Sequence, residues 1–209
     1  MQFRDLKTQY QALKPQIDSA IQSVLDSSAF ILGSPVAELE EKLANYVGRK
    51  HCITCANGTD ALQLSLMSLG VGRGDAVFAP DFTFFATAGA ASILDAQVIL
   101  VDIDESTFNL SSGSLEEAIQ RTLLEGKYTP KAIIAVDLFG LPADYPQIRK
   151  IAEQYHLKIL EDAAQGFGGR IGDRRACSVG DIGATSFFPA KPLGCYGDGG
   201  GQFLQMTAG

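Results

Sequence analysis

The sequence predicts an α/β fold, with three layers (α/β/α) built around a mostly parallel sheet of seven strands. Segments with the apolar spacing of a helix alternate with short apolar segments along most of the chain, which is the order expected of strand–helix–strand units. Several of the short segments are continuous apolar runs, as in strands that are buried on both faces. Together these observations predict a sheet covered by helices on both sides.

The helical segments carry residues that favour helix ends. In the second of them Pro35 stands at the start and Gly48 at the end, where these residue types are enriched. In the third, leucines recur at helical spacing before Gly70. The predicted helical segments are PQIDSAIQSVLDSS, PVAELEEKLANYVG, TDALQLSLMSLG, FFATAGAASIL, SLEEAIQRTLL and DYPQIRKIAEQYH.

The strands are predicted from the short apolar runs. They are CITCA, AVFAP, QVILVD, KAIIAVD, LKILED, GATSFF and GQFLQ. Sheets of this kind bind their ligands at the carboxyl ends of the strands. Functional residues are therefore expected in the loops that follow the strands.

Composition limits the classes of partner. The chain has 209 residues, of which 46% are hydrophobic and 20% charged, and its formal net charge is −7. A negative charge disfavours nucleic acid and anionic membranes, because both attract basic surfaces. We therefore expect small molecules or further copies of the chain as partners. No apolar run is long enough to span a bilayer and the N-terminus has no signal-peptide core, which predicts a cytoplasmic protein.

Cys52 and Cys55 form a CxxC motif beside His51. A structural zinc site needs a second pair of ligands at similar spacing, and Cys177 and Cys195 do not supply one. In a strand, positions i and i+3 point to opposite faces. We therefore predict that the motif packs in the core and that the protein binds no metal.

The loop CANGTDAL joins a predicted strand to a helix and has the features of a phosphate site. Gly58 lets the backbone approach a ligand closely, and the first N–H groups of a helix are unpaired and lie at the positive end of its dipole. Thr59 adds a hydroxyl group. Ordinary helix capping by Asn57, Thr59 or Asp60 explains the same residues, so both interpretations stay open.

Two acidic residues, Glu161 and Asp162, end the buried strand LKILED, and Gln165 follows three residues later. A carboxylate is costly to bury without a partner, so this position invites a cationic or N–H-bearing ligand. The alternative is that one of the two carboxylates caps the next segment or pairs with an arginine such as Arg170.

Phe82, Phe84 and Phe85 crowd the loop that follows the strand AVFAP, at the same edge of the predicted sheet. An aromatic side chain there can stack on a flat ring. Core packing is the alternative for each of the three.

Lys191 lies between Pro189 and Pro192, a few residues after the strand GATSFF. Apolar surroundings lower the pKa of a lysine and make it nucleophilic, whereas the alternative is a surface lysine in a loop. Taken together, a phosphate cradle, a carboxylate for a ring nitrogen, an aromatic side chain and a lysine for an aldehyde predict a site for pyridoxal 5'-phosphate.

The sequence resembles the sugar-nucleotide aminotransferases of the DegT/DnrJ/EryC1/StrS family, which are fold-type-I pyridoxal phosphate enzymes. The segments that carry the resemblance occur in family order: ANGTDALQLSL, GVGRGDAVFAPDFTFFAT, VDIDESTFNL, EDAAQGFGG and TSFFPAKPLGCYGDGG. The last is most similar to members that aminate a UDP-linked 3-keto sugar acid for bacterial surface polysaccharide.

The resemblance implies three roles around the reacting part of the cofactor. Lys191 binds the cofactor aldehyde covalently and then moves protons. Asp162 pairs with the pyridine nitrogen, and Gln165 lies near the ring hydroxyl.

The resemblance also implies residues that hold the rest of the cofactor. Phe84 stacks on the ring, while Gly58, Thr59 and Ser186 bind the phosphate. Glutamate is the amino donor and a nucleotide keto sugar the acceptor, in a homodimeric enzyme that serves the biosynthesis of bacterial surface polysaccharide or of antibiotic sugars.

The resemblance further implies a domain boundary, because family members continue into a smaller C-terminal domain. We expect residues 1–209 to form the cofactor-binding large domain, with an N-terminal helical segment over about 1–34 and the small domain absent. Two alternatives stay open: a cofactor-binding module without turnover, and another fold-type-I chemistry such as that of a cysteine-handling lyase.

Overall fold

The computed structural model describes residues 4–205, and residues 1–3 and 206–209 of the predicted domain lie outside that range. The α-helices within it are α1 (Leu6–Ser27), α2 (Ser34–Val47), α3 (Gly58–Ser68), α4 (Ala86–Ser92), α5 (Ser112–Glu125) and α6 (Tyr145–Gln154), and Leu138–Gly140 form a 3₁₀ helix. The strands are β1 (His51–Cys55), β2 (Asp75–Pro80), β3 (Gln97–Val101), β4 (Thr129–Val136), β5 (Lys158–Asp162), β6 (Arg170–Ile171), β7 (Arg174–Arg175), β8 (Ile182–Ser186) and β9 (Gly200–Leu204).

Within residues 4–205, seven strands form one sheet in the order β1-β9-β8-β5-β4-β2-β3. Strands β3, β2, β4, β5 and β8 pair in parallel. Strand β9 is antiparallel to both of its neighbours, β8 and β1, so β1 runs in the same direction as the parallel strands. The predicted α/β fold with a mostly parallel seven-stranded sheet is confirmed, and every strand of the sheet except β9 has its carboxyl end at one edge.

Alternating residues of the central strands pack into two apolar clusters, one on each face of the sheet. Ile133 and Ile159 belong to the cluster that includes residues of α5 and α6. Their neighbours Ile134 and Leu160 belong to the cluster that includes residues of α3 and α4. Because successive strand residues point to opposite faces, this division produces the three layers that the sequence predicts.

The structure differs from the sequence prediction at the first helix and at a short hairpin, among other places. The first helix begins at Leu6 and contains Pro15 in its interior, so it lies within the predicted N-terminal helical segment of about 1–34 but extends further than the segment PQIDSAIQSVLDSS. The true start is fixed by Asp5, whose carboxylate accepts the N–H of Thr8 at 3.0 Å, as an N-cap residue does. Strands β6 and β7 form an antiparallel hairpin that was not predicted, because strands of two residues are too short to show a period.

None of the helices in residues 4–205 combines the length and the apolar character that crossing a membrane requires.

Candidate functional site

A cavity of about 600 Å³ lies at the carboxyl edge of the sheet, between the segments that follow β1, β2, β5 and β8. The seven residues singled out from the sequence all line it: Gly58, Thr59, Phe84, Asp162, Gln165, Ser186 and Lys191. They converge although they are spread over 134 positions (191 − 58 + 1) of the chain, because the parallel strands deliver the four segments to one edge.

The start of α3 forms one end of the cavity. Asn57 is the N-cap, and its side chain accepts the N–H of Asp60 at 2.8 Å. The first bond within the helix runs from the N–H of Ala61 to the carbonyl of Asn57. The N–H groups of Gly58 and Thr59 precede that bond, so they stay available for an anion at the positive end of the helix. Asn57 therefore caps the helix and leaves the phosphate interpretation intact.

Ser186 faces this helix end from the last position of β8. A Cβ atom on Gly58 would lie 2.6 Å from the Cβ and 3.2 Å from the Oγ of Ser186, a separation too short for a side chain. The Ser186 Oγ accepts the N–H of Phe188 at 3.2 Å. Because the oxygen is engaged as an acceptor, the hydroxyl proton remains to be donated to a ligand.

Asp162 lies deeper in the cavity, at the carboxyl end of β5, and is buried. Its Oδ2 accepts the hydroxyl of Thr87 at 3.0 Å and its Oδ1 accepts the N–H of Ala164 at 3.2 Å. Burial raises the pKa of Asp162, while the N–H of Ala164, the hydroxyl of Thr87 and the charge of Lys191 act in the opposite direction.

Glu161 points to the other face of the sheet from Asp162. Its carboxylate accepts the N–H groups of Cys177, Val179 and Gly180. Glu161 thus holds the loop before β8. Asp162 faces the cavity and also accepts an N–H of the segment that follows it, so for Asp162 both predicted roles are met. Within residues 4–205, neither carboxylate forms an ion pair with Arg170.

Gln165 reaches the cavity from the segment after β5. Its Oε1 accepts the backbone N–H of Phe139 at 2.9 Å, so the amide NH₂ is the group left to face a ligand. Phe139 has a φ of 56°, in the left-handed region that few side chains adopt. The sequence does not predict this contact, because the donor is a backbone N–H 26 residues away and such a group does not depend on residue type.

Lys191 and Phe84 face each other across the cavity. The Nζ of Lys191 lies 5.9 Å from the centre of the Phe84 ring, within the range of a cation–π contact. Phe84 is 68% exposed and Phe85 is 81% exposed, so the alternative of core packing is wrong for both. Phe82 is also exposed, so it does not lie in the core either; its ring centre is 5.7 Å from that of Phe108.

Two threonines complete the site and were not singled out from the sequence. Thr87 is fully buried against Asp162, and Thr83 lines the cavity with its Oγ1 3.1 Å from that of Thr87. Both belong to the segment DFTFFAT, in which the sequence analysis predicts a role only for the phenylalanines. The spacing of four residues between two hydroxyl side chains was the signal available there.

The CxxC motif lies in β1. Cys52 is buried and Cys55 is half-buried. Burial raises the pKa of the Cys52 thiol to about 12, so the thiol keeps its proton. Within the described residues, no three His, Cys, Asp or Glu side chains are grouped closely enough to hold a metal ion.

The geometry of this chain matches proteins of known sequence and structure. The model of the DegT/DnrJ/EryC1/StrS aminotransferase family matches residues 11–205. A relative from Pseudomonas aeruginosa, UDP-2-acetamido-2-deoxy-3-oxo-D-glucuronate aminotransferase, is 50% identical over 205 residues, which are 97% of this chain and 55% of the relative.

Two solved structures have a similar fold. A DegT DnrJ EryC1 StrS aminotransferase from Brucella abortus aligns with a TM-score of 0.97 and 50% identity, covering 99% of this chain and 56% of that one. Ntda from Bacillus subtilis, solved with bound cofactor PMP, aligns with a TM-score of 0.82 and 33% identity, covering 91% of this chain and 41% of that one. The chain spans about half the length of the curated relatives it matches.

Proposed function

Because the chain belongs to the DegT/DnrJ/EryC1/StrS aminotransferase family, we propose that residues 1–209 are the large domain of a pyridoxal-phosphate-dependent enzyme. The enzyme moves an amino group from glutamate to a keto sugar carried on a nucleotide. The observation that carries the proposal is the shared cavity of Lys191, Asp162 and the start of α3. The relative from P. aeruginosa is named for a UDP-linked 3-oxo sugar acid, which supports UDP as the nucleotide and a 3-keto sugar as the acceptor.

The residues present fit pyridoxal phosphate. The N–H groups of Gly58 and Thr59 and the O–H of Ser186 can all donate hydrogen bonds to a phosphate. The missing Cβ at Gly58 keeps this donor set close together. When bound, the cofactor supplies an aldehyde that captures amines and a protonated ring that withdraws electrons. The cofactor PMP in the related structure from B. subtilis is its amine form, which supports the assignment.

Lys191 is proposed as the catalytic base and acid. Its Nζ accepts the proton that leaves the carbon next to the donor's nitrogen and later returns a proton. The loop from β8 carries it to the cavity, where the ring of Phe84 and the carboxylate of Asp162 are the neighbouring groups.

Three further residues are proposed to orient the ring. Asp162 faces the pyridine nitrogen and keeps a proton on it, because a buried carboxylate stabilises a nearby positive charge. The amide NH₂ of Gln165 donates to the ring hydroxyl. Phe84 covers one face of the ring by stacking.

We also propose that the enzyme acts as a homodimer. Large aromatic side chains beside the cavity are exposed, with Phe85 at 81% and Phe139 at 70%. The Phe139 ring also lies beside those of Phe82 and Phe108, with ring centres 6.5 and 6.2 Å away. Exposed apolar side chains grouped in this way are typical of a surface that a partner covers, and a second copy of the chain is the partner that the family resemblance implies.

The first test is cofactor capture at Lys191. Protein mixed with pyridoxal phosphate is expected to gain an absorbance band near the visible edge, and borohydride followed by peptide mapping should find the cofactor on Lys191. Lys191→Ala should lose the band. Lys150→Ala, which changes an exposed lysine of α6, serves as the matched control. A wild-type chain that takes up no cofactor would refute the proposal.

The second test separates an enzyme from a module that only binds the cofactor. Glutamate added to the loaded protein should remove the band and produce 2-oxoglutarate, and a UDP-linked keto sugar should restore it. A band that persists in glutamate would support a binding module, and a response to cysteine alone would support a lyase.

A further inference from the structure

We propose that Thr87 is a positioning residue for the Asp162 carboxylate and that Thr83 fixes the direction of the Thr87 hydroxyl. This inference rests on the proposed function, in which Asp162 faces the pyridine nitrogen.

The geometry holds the carboxylate from two sides. The hydroxyl of Thr87, in α4, reaches Oδ2 of Asp162 at 3.0 Å, and the N–H of Ala164 reaches Oδ1 at 3.2 Å. Thr87 is 0% exposed and Asp162 is 6% exposed, so water does not compete readily for these contacts. With one donor on each oxygen, rotation of the carboxylate about its last bond is restricted.

The two threonines form a chain with a defined direction. An ionised carboxylate only accepts hydrogen bonds, and a hydroxyl has one proton to donate. The hydroxyl of Thr87 must therefore donate its proton to the carboxylate of Asp162. The contact of 3.1 Å between the hydroxyls of Thr87 and Thr83 then requires Thr83 to be the donor. The chain Thr83 → Thr87 → Asp162 matches a charged carboxylate, and a proton on Oδ2 of Asp162 would remove the need for this direction.

The charged state of Asp162 needs such support because burial opposes it. Burial raises the pKa of Asp162, and the Thr87 hydroxyl is one of three groups that lower it, with the N–H of Ala164 and the charge of Lys191. Other ionisable groups that interact with Asp162 come from neighbouring elements: Asp137, Tyr145 and Cys177. None of these groups carries a positive charge, so none of them stabilises the charged carboxylate of Asp162 in place of the Thr87 hydroxyl.

The test is a titration of the Asp162 carboxyl group in the full chain without added cofactor. Protein labelled with ¹³C at aspartate carboxyl carbons is followed by NMR against pH, and Asp162→Asn assigns the signal. Thr87→Val keeps the shape but removes the hydroxyl, so the Asp162 midpoint should move upward. Thr87→Ser restores the hydroxyl and should restore the wild-type midpoint. Thr122→Val, which removes a buried hydroxyl bonded to the carbonyl of Ala118, should leave the midpoint unchanged.

Two results overturn the proposal: a Thr87→Val midpoint equal to that of wild type, or a Thr87→Ser midpoint that moves as far as that of Thr87→Val. Thermal unfolding verifies that each variant is folded. If Thr87→Val does not fold, Thr83→Val tests the same chain at a half-buried position. It should raise the Asp162 midpoint by a smaller amount, and an unchanged midpoint then counts against the chain.

Cofactor affinity gives a second readout. Loss of a hydrogen bond to a charged group should weaken pyridoxal phosphate binding about tenfold in Thr87→Val, and by less than about threefold in Thr87→Ser. If wild type binds no cofactor, the proposed function fails, while the titration still decides whether Thr87 positions Asp162.

Discussion

The backbone at Gly58 lies so close to Ser186 that a Cβ on residue 58 would be 2.6 Å from the Cβ of Ser186. The start of α3 and the end of β8 are therefore in contact. The N–H groups of Gly58 and Thr59 lie near the Ser186 hydroxyl, which has a proton to donate. This contact places the predicted phosphate donors within reach of a single anion.

Gly58→Ala is expected to weaken pyridoxal phosphate binding by about tenfold or more, because the new methyl group must push α3 away from Ser186 and overpacking of this kind costs about 1–3 kcal/mol. Fluorescence titration with the cofactor measures the effect. Gly72→Ala is the matched control, since a Cβ there meets open space. Wild-type affinity in Gly58→Ala would contradict the assigned cradle.

Glu161→Gln is expected to reduce the free energy of unfolding by about 2–4 kcal/mol. The carboxylate accepts three backbone N–H groups of residues 177–180, and an amide would turn its own N–H groups towards at least one of them. Urea unfolding measures the loss. Glu117→Gln, at an exposed position on α5, should change stability by less than about 0.5 kcal/mol. Equal stability of the two variants would show that Glu161 does not hold this loop.

Asp137→Asn is expected to change how stability depends on pH. Burial, and then the charge of Glu161, raise the pKa of Asp137 from its ordinary 3.8 to about 8. Its Oδ1 accepts the hydroxyl of Tyr145 at 2.8 Å, while its Oδ2 meets no donor within residues 4–205. The folded protein therefore holds this proton more tightly than the unfolded chain does.

Because unfolding releases the proton of Asp137, the stability of the protein falls as the pH rises. The contribution of Asp137 to the free energy of unfolding is present in full below the unfolded-state pKa. It is lost progressively as the pH rises to about 8, by at most about 1.4 kcal/mol per pH unit. Urea unfolding at several pH values should give a shallower decline in Asp137→Asn than in wild type. Asp173→Asn, at an exposed position, should keep the wild-type decline. A decline that survives unchanged in Asp137→Asn would assign it to other groups.

Phe85→Asp is expected to convert a dimer to monomers, because it puts a charge in the exposed aromatic surface beside the cavity. Light scattering coupled to size-exclusion chromatography measures the mass. Leu124→Asp alters a side chain that is 89% exposed near the end of α5, on the opposite edge of the sheet, and should leave the mass unchanged. A monomeric wild-type chain would refute the proposed dimer for residues 1–209.

The sequence predicted the layers and the location of the site because both depend on repeated patterns. Continuous apolar runs identified the buried strands, and the parallel order placed the loops after β1, β2, β5 and β8 at one edge. Lys191 and Asp162 were therefore expected near one another although 29 positions (191 − 162) separate them.

Those patterns do not predict contacts between single polar atoms. The bond from Thr87 to Asp162 joins residues 75 positions apart, and the bond from Phe139 to Gln165 uses a backbone N–H that every residue but proline has. The separate roles of Glu161 and Asp162 also depend on which face of β5 each occupies, and a run of buried residues leaves that choice open.

The pairing of β1 with β9 determines the order in which these strands can join the sheet. Within residues 4–205, β1 joins the sheet only through β9. During synthesis the N-terminal strand must therefore wait, unpaired, until residues 200–204 have left the ribosome. Of the strands in residues 4–205, β1 is therefore the first to be synthesised and the last that can pair.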